Sequence, residues 1–176
     1  DHVGTSLALC PASSKRDYHN SFAGGLVDHS LRVLKNTMKI VNAFGWNIPK
    51  ESIIIGSLFH DIGKIGQLDA DNNLTPMYVD AEKWQVERFG NLYQYNKDEE
   101  KITMDTAQRS VWLMAKWGIP LLEDEYLAIL LNDGWVIPQN AKYCLHVRPL
   151  VIAVQQGDYI ATCQENGKHG WAEAGE

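Results

Sequence analysis

Long apolar runs are missing from this chain, and so is any cluster of lysines and arginines. The first absence argues against a membrane-spanning helix, which needs about 20 consecutive apolar residues. The second, with a formal net charge of −6, argues against a general affinity for nucleic acid, because counterion release needs clustered cations. A small anionic substrate held by a metal and a few local cations stays compatible with an acidic protein. No apolar segment with the flanks of a secretory signal opens the chain. The three cysteines, Cys10, Cys144 and Cys163, are odd in number and unpaired in spacing. They read as reduced thiols of a cytoplasmic protein, each packed as a small hydrophobe. No Gly-rich triphosphate loop of the Walker type is present. The acidic turn at Asp69–Asn73 lacks the glycine and closing glutamate that a calcium loop requires. Without a repeat or an internal linker, residues 1–163 read as one domain, and residues 164–176 as a flexible tail.

What the chain does have is helical periodicity. From Gly25, the residues Leu26, Val33, Leu34, Ile40, Val41 and Phe44 form an apolar stripe that Gly45 terminates. Residues 51–64 are apolar nearly all round and read as a central helix. Further helices are expected over 105–117, 123–131 and 149–163. Residues 1–23 are small, polar and turn-forming, with a bend at Pro11-Ala12-Ser13-Ser14. Between 77 and 104 the pattern changes, with short β-type runs at Tyr78-Val79, Leu92 to Tyr95 and Lys101 to Met104. This predicts a small β-hairpin insertion with a helical or irregular stretch around Trp84 to Phe89. The fold class is therefore mostly α.

One constellation carries chemistry. His60 and Asp61 are adjacent in Leu58-Phe59-His60-Asp61-Ile62-Gly63-Lys64; His29 lies in the preceding apolar helix and Asp158 in the last one. Imidazole and carboxylate donors together suit a borderline divalent ion. Taken singly, each has a plain alternative, a satisfied core histidine or a capping aspartate.

The order His29, His60-Asp61, Asp158, with His60-Asp61-Ile62-Gly63-Lys64 at its centre, resembles the HD-domain metal-dependent phosphohydrolases. The resemblance spans roughly residues 10–163, and long segments look like phage-encoded members. It implies an HD-domain helical bundle in which His29, His60, Asp61 and Asp158 hold the metal and Asp61 takes part in catalysis, with Asp133 competing with Asp158 for its place. No histidine occurs between His60 and His146. That departs from the binuclear pattern and implies one divalent ion: Mn²⁺, Fe²⁺, Co²⁺, Ni²⁺, Zn²⁺ or Mg²⁺.

Several residues near these positions are substrate candidates. Lys64 would contact phosphate or stabilise developing charge, or else face a helix dipole. Arg109 would clamp phosphate, or form a surface ion pair. His19 would bind substrate or donate a proton, or serve structure. The pair Gly24-Gly25 would present free N–H groups to an anion. Arg32 would reach the same cleft, or lie on a solvated face. Trp84, Phe89, Tyr93 and Tyr95 would stack on a base, or cover the core and hairpin. The expected activity is hydrolysis of a nucleotide phosphate ester by metal-activated water, with a (deoxy)nucleoside 5′-monophosphate as leading substrate. Triphosphohydrolase, 3′–5′ exonuclease or phosphodiesterase, and non-catalytic nucleotide-binding scaffold are the alternatives. Nucleic acid and membrane are not expected partners; a homo-oligomer is compatible.

Overall fold

The computed structural model describes residues 2–69, 71–97 and 104–166. Among them are seven α-helices: α1 (His2–Leu9), α2 (Gly25–Phe44), α3 (Lys50–Phe59), α4 (Lys83–Phe89), α5 (Thr106–Lys116), α6 (Glu123–Leu130) and α7 (Pro149–Asn166). Two antiparallel strand pairs complete it, β1 (Gln67–Leu68) with β2 (Leu74–Thr75) and β3 (Tyr78–Asp80) with β4 (Tyr93–Tyr95). No helix among the described residues is long and apolar enough to cross a membrane.

The stripe on α2 packs much as its period demands. Leu26, Val33 and Val41 are buried, and Gly45 closes the helix in the left-handed region at φ 63°. Phe44, expected on the stripe, is instead exposed and stacks on Trp46 at 4.9 Å between ring centroids. Val41 joins Ile53 of α3, Ala128 of α6 and Leu150, Val151 and Val154 of α7 in the larger core cluster. A second cluster gathers Cys10, Leu26, Ile62, Ile65, Leu68 and Leu113, with Val3 and Leu7 of α1 against it. Those two apolar residues explain why the N-terminal segment is helical where a turn-rich stretch was expected.

The central helix is shorter than its apolar run implied. It stops at Phe59, and after Asp61 (φ −112°, ψ 10°) the chain tightens into a 3₁₀ turn, Ile62–Ile65. Helix α5 holds this break open. Ser110 Oγ accepts from the Gly63 N–H at 2.8 Å and donates to the His60 carbonyl at 3.0 Å, while Arg109 donates to the Gly63 carbonyl at 3.1 Å. Buried backbone groups that leave a helix need such partners. The His60-Asp61 pair thus sits where the chain passes from one core cluster to the other.

The insertion expected at 77–104 is a strand–helix–strand unit, β3–α4–β4, with Tyr78 opposite Tyr95 and Asp80 opposite Tyr93. Residues 101–103 of its third expected run, and 98–100 of the turn before it, lie outside the described residues. Asp69 closes the acidic turn, its Oδ1 accepting from the Asp71 and Asn73 N–H groups at 2.8 Å each. The three cysteines are free, with Cys10 buried.

Helices α2 and α7 pack very closely at Gly157, where an added Cβ would meet Thr37 Oγ1 at 2.4 Å and Thr37 N at 3.1 Å. Overpacking a contact of this kind costs about 1–3 kcal/mol. Gly157→Ala is expected to lower stability by that amount in urea unfolding; an unchanged midpoint would show that the helices can separate freely.

Candidate metal centre and cleft

Each half of the constellation arrives on a different element. His29 comes from the buried face of α2, His60 from the turn that ends α3, Asp61 from the residue after it, and Asp158 from the middle of α7. Both histidines are fully buried, with ring centroids 5.3 Å apart. His29 Nε2 lies 3.1 Å from Asp158 Oδ1 and 3.9 Å from Asp61 Oδ2; His60 Nε2 lies 3.8 Å and 3.5 Å from the same atoms.

The remaining ring nitrogens are engaged elsewhere. His60 Nδ1 donates to the Ser57 carbonyl at 2.8 Å, and His29 Nδ1 lies 2.9 Å and 3.1 Å from the two oxygens of Glu165. Both Nε2 atoms are buried and complete no hydrogen bond within the protein. Two buried, unsatisfied imidazole nitrogens facing carboxylates are costly unless something binds them. His29, His60 and Asp158 offer donor atoms that lie within 4.8 Å of one another. Such a donor set fits a divalent cation. Asp61 and Asp133 are not among that trio, and both line the adjoining cleft.

The charges respond to one another. Burial would raise the Asp61 carboxyl, but Lys64, with Nζ 2.5 Å from Oδ2, and the two histidines hold it well below the usual carboxylate range. Lys64 is depressed by burial and raised on balance by Asp61. Burial also opposes the charged form of His29, yet the Asp158 and Glu165 carboxylates bring its pKa up to about 9. His19, whose ring lies 4.8 Å from that of His29, is pushed down to about 4 by burial, Lys64 and His29. Asp133 rises to about 6 through burial and the Asp61 and Asp158 carboxylates.

Above the cluster opens a cleft of about 590 Å³, walled by His19, Asp61, Lys64, Asp133, Asp158, Trp135 and Tyr159 among others. Several expected substrate residues are not in it. Arg109 is 2% exposed, its guanidinium donating to the Gly63 and Met104 carbonyls; it braces the turn and does not line the cleft. The helix entrance at Gly24-Gly25 is filled by protein. The Gly25 N–H donates to the Phe22 carbonyl and the Leu26 N–H to the Cys10 carbonyl, and a Cβ at Gly25 would meet the Asn20 carbonyl oxygen at 2.0 Å. Arg32 turns away toward Asp28 and Glu165. Trp84, Phe89 and Tyr95 are exposed outside the cleft, and Tyr93 lines a smaller cavity. The aromatics that do line the cleft, Trp135 and Tyr159, were missed. So was Glu165, which falls beyond the expected helix end at Cys163, although α7 runs on to Asn166. Its spacing of seven residues from Asp158, two helical turns on one face, was the available signal.

A helical domain that converges two imidazoles and two carboxylates below a cleft defines a class of metal-assisted hydrolytic proteins. The comparisons make it specific: residues 26–130, more than half of the chain, match the HD domain, and the chain belongs to this family of metal-dependent phosphohydrolases. The match takes in His29, His60, Asp61 and Lys64 and ends before α7. A stretch of 66 residues is 30% identical to the dihydroneopterin 2′,3′-cyclic phosphate phosphodiesterase of Methanocaldococcus jannaschii, covering 35% of this chain and 26% of that protein. The chain therefore spans about a quarter of that relative's length. No solved structure matches the chain significantly.

A ligand that binds only the folded state raises stability by about 2.7 kcal/mol at a hundredfold excess over Kd. At least one of Mn²⁺, Co²⁺ or Zn²⁺ is expected to raise the melting temperature of the metal-stripped protein, and His60→Ala to abolish that shift. A wild-type melting curve indifferent to every one of these ions would remove the metal centre.

Proposed function

We propose that this protein hydrolyses a phosphate ester of a nucleotide, with a nucleoside or deoxynucleoside 5′-monophosphate as leading substrate and one divalent ion as cofactor. The observation that carries this reading is the convergence of His29, His60 and Asp158 with Asp61 and Lys64 at the base of one cleft of about 590 Å³. That volume lies within the range of small-molecule sites. His29, His60, Asp61 and Asp158 would hold the ion. When bound it supplies Lewis acidity, lowering the pKa of water and polarising a phosphoryl oxygen.

The chain's own groups supply the rest. The Lys64 ammonium, 13% exposed on its side chain, offers a fixed positive charge to phosphoryl oxygens where water is scarce. His19, which burial and Lys64 push down to about 4, would act as a neutral hydrogen-bond partner on the cleft wall, the first of the two substrate roles expected of it. Asp133, on the same cleft and outside the His29, His60 and Asp158 trio, would carry a proton toward the leaving oxygen. Trp135 and Tyr159, 59% and 63% exposed, offer flat faces to a nucleobase.

Cleavage of a cyclic phosphate diester is the second reading, favoured by the stretch shared with the archaeal phosphodiesterase. The two separate by product, because a monophosphate releases orthophosphate whereas a cyclic diester opens to a phosphomonoester.

Incubation with nucleoside 5′-monophosphates, triphosphates and 2′,3′-cyclic monophosphates in Mn²⁺ or Co²⁺ is expected to release orthophosphate from a monophosphate, with Asp61→Ala reduced to background. Full activity in Asp61→Ala would sink the assignment; turnover of cyclic diesters alone would promote the second reading. Base stacking is worth about 1–3 kcal/mol per base. Trp135→Ala is accordingly expected to raise KM roughly fivefold or more while leaving kcat near wild type, and an unchanged KM would remove Trp135 from base binding.

A further inference from the structure

The last turn of α7 is tied to α2 by a chain of polar contacts that leads into the cluster. Glu165 is 1% exposed on its side chain, yet it carries a carboxylate. One oxygen lies 3.3 Å from Arg32 Nε, and both face His29 Nδ1. Arg32 is in turn 3.6 Å from Asp28. Beside this chain, Asn36 Nδ2 donates to Gln164 Oε1 at 3.0 Å. Glu165 is thus buried, charge-paired, and aimed at the one His29 nitrogen that does not face the cluster.

The contact decides a tautomer. A neutral imidazole carries one N–H, and the nitrogen opposite keeps the lone pair. With an acceptor-only carboxylate against Nδ1, a ring that binds a cation keeps its proton there, and the Nε2 lone pair is left on the side of Asp158 and Asp61 for that cation. His60 reaches the same state through the Ser57 carbonyl. His29 differs in having an anion as its partner, which also raises the ring's basicity as a ligand. Arg32 keeps that anion in place, since an unpaired buried carboxylate would be expelled or neutralised.

We propose that Glu165 is a positioning residue of the metal centre: its carboxylate, anchored by Arg32, fixes His29 with the proton on Nδ1 and the Nε2 lone pair turned into the cluster. The proposal rests on His29 being a ligand, and it adds a residue beyond the segment that matches the HD domain.

The test reads metal binding without substrate. Co²⁺ affinity and the visible absorption of the bound ion are measured on the full chain, wild type against Glu165→Ala, Glu165→Gln and Gln164→Ala. The nitrogen of His29 that keeps its proton is read from ring ¹⁵N shifts in the Zn²⁺-loaded protein, with circular dichroism as the check on folding. Loss of an outer partner of a ligating histidine typically weakens metal affinity 10–100-fold. Glu165→Ala is expected to show a loss of that size, altered Co²⁺ absorption and a changed His29 tautomer. Glu165→Gln, which keeps an acceptor oxygen, should recover part of the affinity. Gln164→Ala, which removes the neighbouring tie but not the carboxylate, should bind as wild type does. Glu165→Ala within twofold of wild type overturns the proposal, as does a Gln164→Ala loss equal to that of Glu165→Ala, since docking of the helix end would then be the whole effect. A wild-type chain that takes up no Co²⁺ overturns both this role and the metal-dependent reading. Failure to hydrolyse nucleotides leaves the affinity comparison intact and so falls on the substrate alone.

Discussion

Gly157 lets α7 lie against α2 so closely that a single methyl group there would drive into Thr37, and the geometry of the site follows from that contact. The next residue, Asp158, is delivered to His29 Nε2, and Glu165, two turns on, to the other side of the same ring. One imidazole is therefore held between two carboxylates on one helix face. A helix axis displaced by the width of a side chain would lose both. The second histidine depends on a different constraint, the stop in α3 after Phe59, which Ser110 and Arg109 stabilise by satisfying the freed backbone groups.

These constraints explain what could be read in the chain beforehand. Amphipathic period and the Gly45 stop located α2, and the apolar runs located the other main helices, because burial of a stripe is a local pattern. The adjacent His60 and Asp61 were legible as a pair, since two polar residues after a mostly apolar helix need a partner. Membership of the family was legible on the same residues. The break in the central helix was not. It is imposed by side chains of α5, some fifty residues later, and no local propensity announces it. For the same reason neither expected role of Arg109, phosphate clamp or surface ion pair, anticipated its burial against backbone carbonyls: a guanidinium that braces carbonyls and one that grips an anion look alike in sequence. The Gly24-Gly25 entrance misled in the opposite direction. Those glycines do serve close backbone approach, but the approaching groups are Asn20, Phe22 and Cys10 of the protein itself.

The electrostatic balance of the cleft is internal. Lys64 answers Asp61, and Arg32 answers Glu165, so burying those carboxylates does not leave uncompensated charge. Asp133 has less help, which is why burial and its anionic neighbours push it toward neutrality. An acidic protein can thus present a local field suited to an anion, provided a cation completes the cluster.

The spacing of the donors along the chain has a consequence for biogenesis. His29 lies on α2 and Asp158 and Glu165 on α7, so no short contiguous stretch holds the cluster. During synthesis domains assemble as the chain emerges, N-terminal parts first. Helix α7 leaves the ribosome after the other described helices, and until it docks along α2 the two imidazoles have neither the facing Asp158 carboxylate nor the Glu165 anchor for His29. Assembly of the cluster is therefore tied to the emergence of α7, and a chain that stops short of it carries only half of the constellation.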